Sequence, residues 1–332
     1  MNKVNQHFSS LDLFRAVAGY GVAICHFYYY VHDQSNYQFY SLFFVEFFFV
    51  LSGFVLYPQL VKVYKKNKNL KIFFMRRWFR TIPLYILALF CYSILFSKFD
   101  LDTLKYFFFI QHLTDSFLID DYFSVAWSLS VEEIFYIIFP LFLILLKKKN
   151  FVEIILIFLS LIYVLKIFYI SFADVDNEFF RIGTFLRLDS IAFGLIVRKY
   201  YIKINSLSLN IFSSSVIIIL LNFIKNLNLF NKYEIFLFIL IVQIFSINLI
   251  LIFIHLDKFI KKKYLQNLFS LLSKQTYSVY LFHFFPIYFL KNILIFLDKS
   301  FIFLIYVMSL FLISTLSYYL FEKPILTKRP KY

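Results

Sequence analysis

Cysteine, glycine, proline and charge are all scarce in this sequence. Among 332 residues there are two cysteines, five glycines, six prolines and two tryptophans. Cys25 and Cys91 make neither a C-x-x-C pair nor a zinc-ligand spacing, which argues against a disulfide framework or a metal centre. There is no Gly/Ser linker and no internal repeat, and every glycine lies in or beside a long apolar run. Charged residues make up 16%, well under the share of about a quarter expected in a soluble domain. What fills the space is aromatic and aliphatic: 61% of residues are hydrophobic, and 50 Phe and 26 Tyr dominate. Mean hydropathy is +0.76. These proportions fit an all-α integral membrane protein and leave no room for a recognisable soluble domain. Residues 1–332 read as a single transmembrane domain. No cleavable signal is expected, because the first apolar run contains Arg15 and His26 and lacks a small-residue cleavage site.

Requiring about 17–25 apolar residues per span gives about ten transmembrane helices. They fall near 11–31, 39–61, 80–97, 129–146, 151–170, 184–200, 209–225, 233–255, 277–297 and 300–321. The connections alternate in charge. Lys62 to Arg80 holds eight Lys and Arg, whereas the stretches around Asp100–Asp121 and Asp174–Glu178 are acidic. The positive-inside rule then places both termini in the cytoplasm of a multi-pass inner-membrane protein. The net charge of +15 is thereby explained by topology and contact with anionic membrane lipids. No folded basic module stands outside the spans to bind nucleic acid. The apolar patch YFFFIQHL in the longest outer connection is too short to cross and reads as a re-entrant or interfacial helix.

Several spans carry groups that a membrane interior penalises. The first has Asp12, Arg15 and His26. Eleven residues at about 100° each bring Arg15 and His26 to one helix face, about 16 Å apart along the axis. Between them lie Ala16, Ala18, Gly19, Gly21 and Ala23, which let a neighbouring helix or a thin ligand come close. The plain alternative is that Arg15 snorkels and His26 packs. The second span holds Glu46, which must be paired, protonated or facing a cavity, and a Ser52-Gly53 pair that reads as close packing. The third opens with Arg76, Arg77 and Arg80. Arg77 and Arg80 share a face, a pattern suited to phosphate groups or to a positive-inside anchor. In the fourth, Ser130 and Glu133 have capping-box spacing. Glu132 points elsewhere, toward an apolar wall of Trp127, Phe135 and Tyr136 that suits an acid/base group. The sixth carries Arg187 and Asp189, to be paired with other helices. The ninth sets Tyr277, Tyr280 and His283 on a loosely shared face, and Pro324 is expected to stop the last helix.

In this order the stretches resemble the type-3 acyltransferase family, integral membrane enzymes that O-acylate cell-surface carbohydrates. Arg15 and His26 match the family's Arg-x10-His motif. FFVEFFFVLSGFVL looks like its second-helix signature, with Glu46 where an acidic or polar residue, often Asp, is usual. Arg77-Trp78-Phe79-Arg80 matches its Arg-x-x-Arg motif, and WSLSVEEIFYIIFP, RLDSIAFG, YSVYLFHFFPI and FEKP match later blocks. The likeness runs from residue 11 to 324. It implies a cytoplasmic acyl-CoA donor, most simply acetyl-CoA, and a carbohydrate or glycolipid acceptor presenting a hydroxyl. No metal is implied. It also implies that transfer finishes on the membrane domain, with no hydrolase-like domain following.

Mapped onto that scheme, His26, Arg15 and Glu132 are the catalytic candidates. Arg77 and Arg80 are the donor-phosphate candidates. Asp12, Glu46, Glu133, Arg187, Tyr280 and His283 are secondary. A neutral imidazole at His26 would take the acceptor proton or carry the acyl group. Arg15 would orient the donor, and Asp12 would hold Arg15. The rival class is a transporter or flippase of a lipid-linked saccharide, which should show inverted repeats with matched broken helices, and none is visible. A purely structural scaffold leaves the buried charges unexplained. The acyl group, the acceptor sugar and the oligomeric state are not written in the sequence.

Overall fold

Among the described residues the long apolar runs become helix. The computed structural model describes residues 7–34, 36–66, 69–115, 121–173, 175–204, 206–225, 231–293 and 299–330, and among them there is no strand. The helices are α1 (Ser9–His32), α2 (Asn36–Lys65), α3 (Asn69–Phe96), the short α4 (Leu101–Phe107), α5 (Ala126–Leu145), α6 (Phe151–Ser171) and the short α7 (Asn177–Ile182). A 3-10 turn, Thr184–Arg187, leads into α8 (Leu188–Ile204). Then come α9 (Leu207–Lys225), α10 (Lys232–Leu256), α11 (Lys263–Phe282), α12 (Phe284–Ile293), α13 (Lys299–Leu316) and α14 (Lys323–Thr327).

Six described helices are long and apolar enough to cross a membrane: α2, α3, α5, α6, α10 and the continuous run from α13 through α14. The other expected spans are helical as well, but α1 carries Asp12, Arg15 and His26, α8 has only 17 residues, and the first half of α11 is polar. Large apolar side chains point outward: Phe90 and Ile94 on α3, Leu156 and Val164 on α6, Ile219 on α9, Met308 and Leu312 on α13. A soluble protein rarely exposes so much contiguous apolar surface, whereas a bilayer rewards it.

The interior is built around α1, α2, α8 and α11. Helices α2 and α8 touch backbone to backbone at Gly53 and Gly194. A Cβ at Gly53 would lie 1.9 Å from the Ile191 carbonyl oxygen, so Gly53 is the packing residue its sequence context suggests. The small residues of α1 admit helices rather than a ligand: Thr276 of α11 comes up against Gly19, and the Phe44 ring of α2 against Gly21. Helix α8 is also tied by charge. Arg187 pairs with Glu46 of α2, and Asp189 accepts from Lys166 of α6 at 2.6 Å and from Gln243 of α10 at 3.1 Å. These four charged side chains are fully buried, where an ion survives only with its partner.

The structure departs from the sequence reading in five places. Helix α3 begins at Asn69, well before the expected 80, because nothing in LKIFFMRR breaks a helix. Helix α5 begins at Ala126, so Ser130 and Glu133 lie inside it and form no capping box. Ser130 instead accepts from Gln111 at 2.5 Å, and Glu133 accepts from Thr81 at 2.6 Å. The expected span 277–297 is, as far as Ile293, two helices that part at His283, and its positions 294–297 lie outside the described residues. Pro286 has no N–H for the Phe282 carbonyl and its ring crowds that oxygen. Pro324 does not end the last helix. The chain widens into a π-helical turn over Ser317–Glu322, and Pro324 sits in the first turn of α14, where a missing N–H costs nothing. The YFFFIQHL patch is only partly helical: α4 ends at Phe107 and the chain turns back toward the bundle.

Candidate active site

Two clefts lie one above the other along the bundle. The first, of about 800 Å³, is lined by Arg15, Arg77, Arg80 and Glu132. The second, of about 980 Å³, is lined by His26 with Tyr29, Tyr30, Trp127, Asp121 and Arg181. Each central helix contributes to both in consistent order. Helix α1 gives Arg15 to one and His26 to the other. Helix α2 gives Ser52 and Val55 to the arginine cleft, and Gln38 and Ser41 to the histidine cleft. Helix α11 gives Ser273 and Thr276 to the arginine cleft. Val45 and Tyr280 line both. Tyr280 is fixed there by its hydroxyl, 2.5 Å from the Ser128 oxygen.

In the arginine cleft the three guanidinium groups are held differently. Arg15 donates to Ser273 at 3.3 Å and stands 3.9 Å from Asp12. Asp12 also accepts from Ser273 at 3.3 Å and pairs with His7 at 3.1 Å. Ser273 therefore stands between Asp12 and Arg15 and links the two. His7 lies before the first helix, and its hydrogen bond to Asp12 raises its pKa above the ordinary histidine value. Arg77 is buried with its guanidinium 5.7 Å from the centre of the Tyr136 ring. Arg76 points away and donates to the Pro330 carbonyl at 2.6 Å.

Glu132 is the one carboxylate lining this cleft among the described residues. It accepts from Ser52 at 2.5 Å and from Tyr136 at 2.9 Å. Its neighbours are therefore hydroxyl donors, and Tyr136, read as apolar wall, turns its polar end toward it. Glu133, one position on, is buried outside the cleft lining and serves the α3–α5 contact through Thr81.

The histidine cleft has a second histidine behind the first. His26 Nδ1 lies 2.7 Å from His283 Nε2, and His283 Nδ1 lies 2.8 Å from the Tyr280 carbonyl oxygen. The imidazoles are nearly coplanar, 22° apart, and meet edge to edge. Phe284 stacks on His26, with ring centres 5.0 Å apart. The break at Pro286 leaves His283 at the junction of α11 and α12. Around the rim, Glu178 and Arg181 of α7 form an ion pair, and Arg181 lies over Trp127. Nearby, His112 is buried in the connection after α4. Burial first, and the Arg181 charge second, push its pKa down to about 4.

The structure thus gathers Arg15, Arg77, Arg80 and Glu132 in one cleft, and His26 with His283 in the next, with Tyr280 on both. Glu46 and Arg187 are paired away from either lining. Sequence reading took Ser52 only for close packing and Asp121 only for charge bias of an outer connection, and it passed over Ser273 and Arg181. Ser52 and Ser273 gave no signal beyond small polar residues in apolar runs. Glu178 likewise was read only as part of an acidic outer connection, and Arg181 just beyond it was not weighed.

A family model described as an acyltransferase domain matches residues 8–322. The chain belongs to the type-3 acyltransferase family. It is similar to a Staphylococcus aureus (strain COL) protein named "Putative O-acetyltransferase SACOL0978", 27% identical over 87% of this chain and 52% of that protein. It is also similar to O-acetyltransferase OatA of Staphylococcus aureus (strain NCTC 8325 / PS 47), 29% identical over 58% of this chain and 34% of the relative. A third relative is peptidoglycan O-acetyltransferase OatA of Listeria monocytogenes, 32% identical over 31% of this chain and 20% of the relative. At best the chain spans about half the length of these relatives. No solved structure matches.

Proposed function

We propose that this protein moves an acyl group, most simply acetyl, from a cytoplasmic acyl-CoA to a hydroxyl of a cell-surface or lipid-linked carbohydrate. The observation that carries this reading is the division of α1. Its Arg15 end opens into a cleft with three guanidinium groups, and its His26 end opens into a cleft with an imidazole and aromatic walls. Arg77 and Arg80 hold the donor's phosphates, because planar guanidinium forks match phosphate oxygens. Arg15, anchored through Asp12 and Ser273, orients the thioester arm toward Tyr280. Glu132 offsets the positive charge and keeps the cleft from trapping the product. In the other cleft, Tyr29, Tyr30 and Trp127 offer flat apolar faces, and Gln38, Ser41 and Asp121 offer hydrogen-bond partners, the mixture that receives a polar ring. His26 takes the proton of the acceptor hydroxyl as its oxygen attacks the thioester carbon.

The orientation belongs to the same proposal: both termini lie in the cytoplasm and the arginine cleft opens inward, in a chain crossing about ten times. In a background lacking Cys25 and Cys91, cysteines placed at Asn36 and Asp176 react with an impermeant thiol reagent on intact cells, and one at Lys148 does not. The reverse pattern would put the donor cleft on the wrong side. The activity is tested on membrane vesicles given radiolabelled acetyl-CoA. Label enters alkali-labile surface glycan with the wild-type protein and does not enter with His26→Ala at equal membrane level. Equal incorporation by the two would overturn the reading.

A further inference from the structure

We propose that His283 is a positioning residue that fixes the tautomer of His26, leaving the Nε2 lone pair of His26 free as the base. The proposal rests on the transfer reading above for the base role, but the tautomer itself rests on three atoms. A carbonyl oxygen has no proton to give. The 2.8 Å contact between the Tyr280 carbonyl and His283 Nδ1 therefore requires that Nδ1 carry the hydrogen. His283 is completely buried, with the His26 and Phe284 rings against it, and no carboxylate is among its ring or hydrogen-bond partners in the described residues. An imidazolium there would be an uncompensated buried charge, so the ring is neutral and its Nε2 is an acceptor.

The next atom follows. His26 Nδ1 sits 2.7 Å from that acceptor, in nearly the same plane, so it must be the donor. The chain runs from His26 Nδ1–H to His283 Nε2, and from His283 Nδ1–H to the Tyr280 carbonyl. His26 is left with its proton on Nδ1 and a bare Nε2, and it lines the cleft.

This is the form that transfer requires. The acceptor O–H proton passes to Nε2 of His26 while the acceptor oxygen bonds the thioester carbon. The C–S bond then breaks, and the proton on Nε2 goes to the departing thiolate, giving ester and free thiol. With the opposite tautomer, Nε2 already carries hydrogen and cannot accept. Orientation of a catalytic imidazole through its other nitrogen is a general device, supplied here by a second imidazole and a backbone carbonyl rather than by a carboxylate.

The test needs no ligand at first. The full chain, labelled with 15N-histidine and held in lipid nanodiscs, is studied by NMR at neutral pH, with the His26 signals assigned by their loss in His26→Gln. The expected wild-type pattern is protonated Nδ1 and unprotonated Nε2. His283→Leu removes the acceptor and shifts His26 toward protonated Nε2, whereas His283→Gln keeps an acceptor oxygen and retains the wild-type pattern. In vesicles with acetyl-CoA as the varied donor, His283→Leu lowers kcat at least about tenfold with donor KM within about twofold, and His283→Gln recovers most of the loss. A wild-type His26 protonated on Nε2, or a tautomer unmoved by His283→Leu, would overturn the assignment. If the tautomer is as expected but wild-type vesicles transfer no acetyl group, the base role falls with the proposed function while the hydrogen-bond chain stands.

Discussion

Arg15 and His26 stand on one face of α1, yet they open into different clefts, with Val45 and Tyr280 between. One helix therefore brings the charge that suits a donor and the base that suits an acceptor to two levels of the same bundle. On the proposed function, the extended arm of the donor would bridge their separation of about 16 Å along the axis.

The arginine pair gives the most direct kinetic test. Loss of Arg77 or Arg80 should raise the apparent KM for acetyl-CoA about tenfold to a hundredfold each, since a charge-assisted hydrogen bond is worth about 1.5–3 kcal/mol. Arg→Lys at either position should recover part of this, because the charge remains but the fork does not. Arg76→Ala, directed at the Pro330 carbonyl instead, should act weakly. Equal small effects at 76, 77 and 80 in donor titrations would remove the phosphate assignment.

His26→Ala should leave the protein folded and abolish transfer. Membrane level and melting temperature report the first part, and radiolabel in surface glycan the second. His26 is only half-buried at the cleft wall, so truncation opens the cleft rather than the core.

Glu46 and Arg187 should behave as structure, not chemistry. Removing either one strands a buried charge and should cost about 3–5 kcal/mol, whereas Glu46→Leu combined with Arg187→Met should be less harmful than either alone. Thermal unfolding of the three variants in detergent checks the non-additivity. A double variant as unstable as the sum of the singles would mean that the two side chains do not act as a pair.

Gly53→Ala should force α2 and α8 apart and cost about 1–3 kcal/mol, the range for overpacking, because its Cβ meets backbone rather than a movable side chain. A melting temperature unchanged from wild type would contradict the close crossing.

Acid should loosen the outer connection through His112. Its pKa is about 4 in the folded chain against an ordinary 6.5, so the unfolded chain binds the extra proton first. Stability is then full above about pH 6.5 and falls as the pH drops toward 4. His112→Asn should flatten that slope in melts across the same range. An unchanged slope would assign it to other groups.

The helices and many of the residues that line the two clefts were legible in the sequence because a membrane interior forces apolar runs into helix and makes each buried charge conspicuous. Arg15, Arg77, Arg80, His26 and Glu132 stood out for that reason. Their partners did not. Ser52, Ser273 and Tyr136 are ordinary in such helices and become visible only when another helix delivers a charge to them. The His26–His283 contact joins residues 257 positions apart, and no local spacing encodes it. Helix breaks were misjudged where proline acts at a distance: Pro286 interrupts the chain three residues earlier, and Pro324 fits into a helix start after the chain has changed to the wider π-helical register.

Tyr280 and Val45 line both clefts, at the level where the two could merge into a continuous bore. On the proposed orientation such a bore would cross the whole bilayer, and every ion leaking through it would dissipate about 2.3 kcal/mol per charge per 100 mV of membrane potential. A catalyst that hands a neutral acyl group across this partition has no need to open a path for water. On the proposed function, the tyrosine held there by Ser128 would let acyl transfer proceed without a standing path for ions across the membrane.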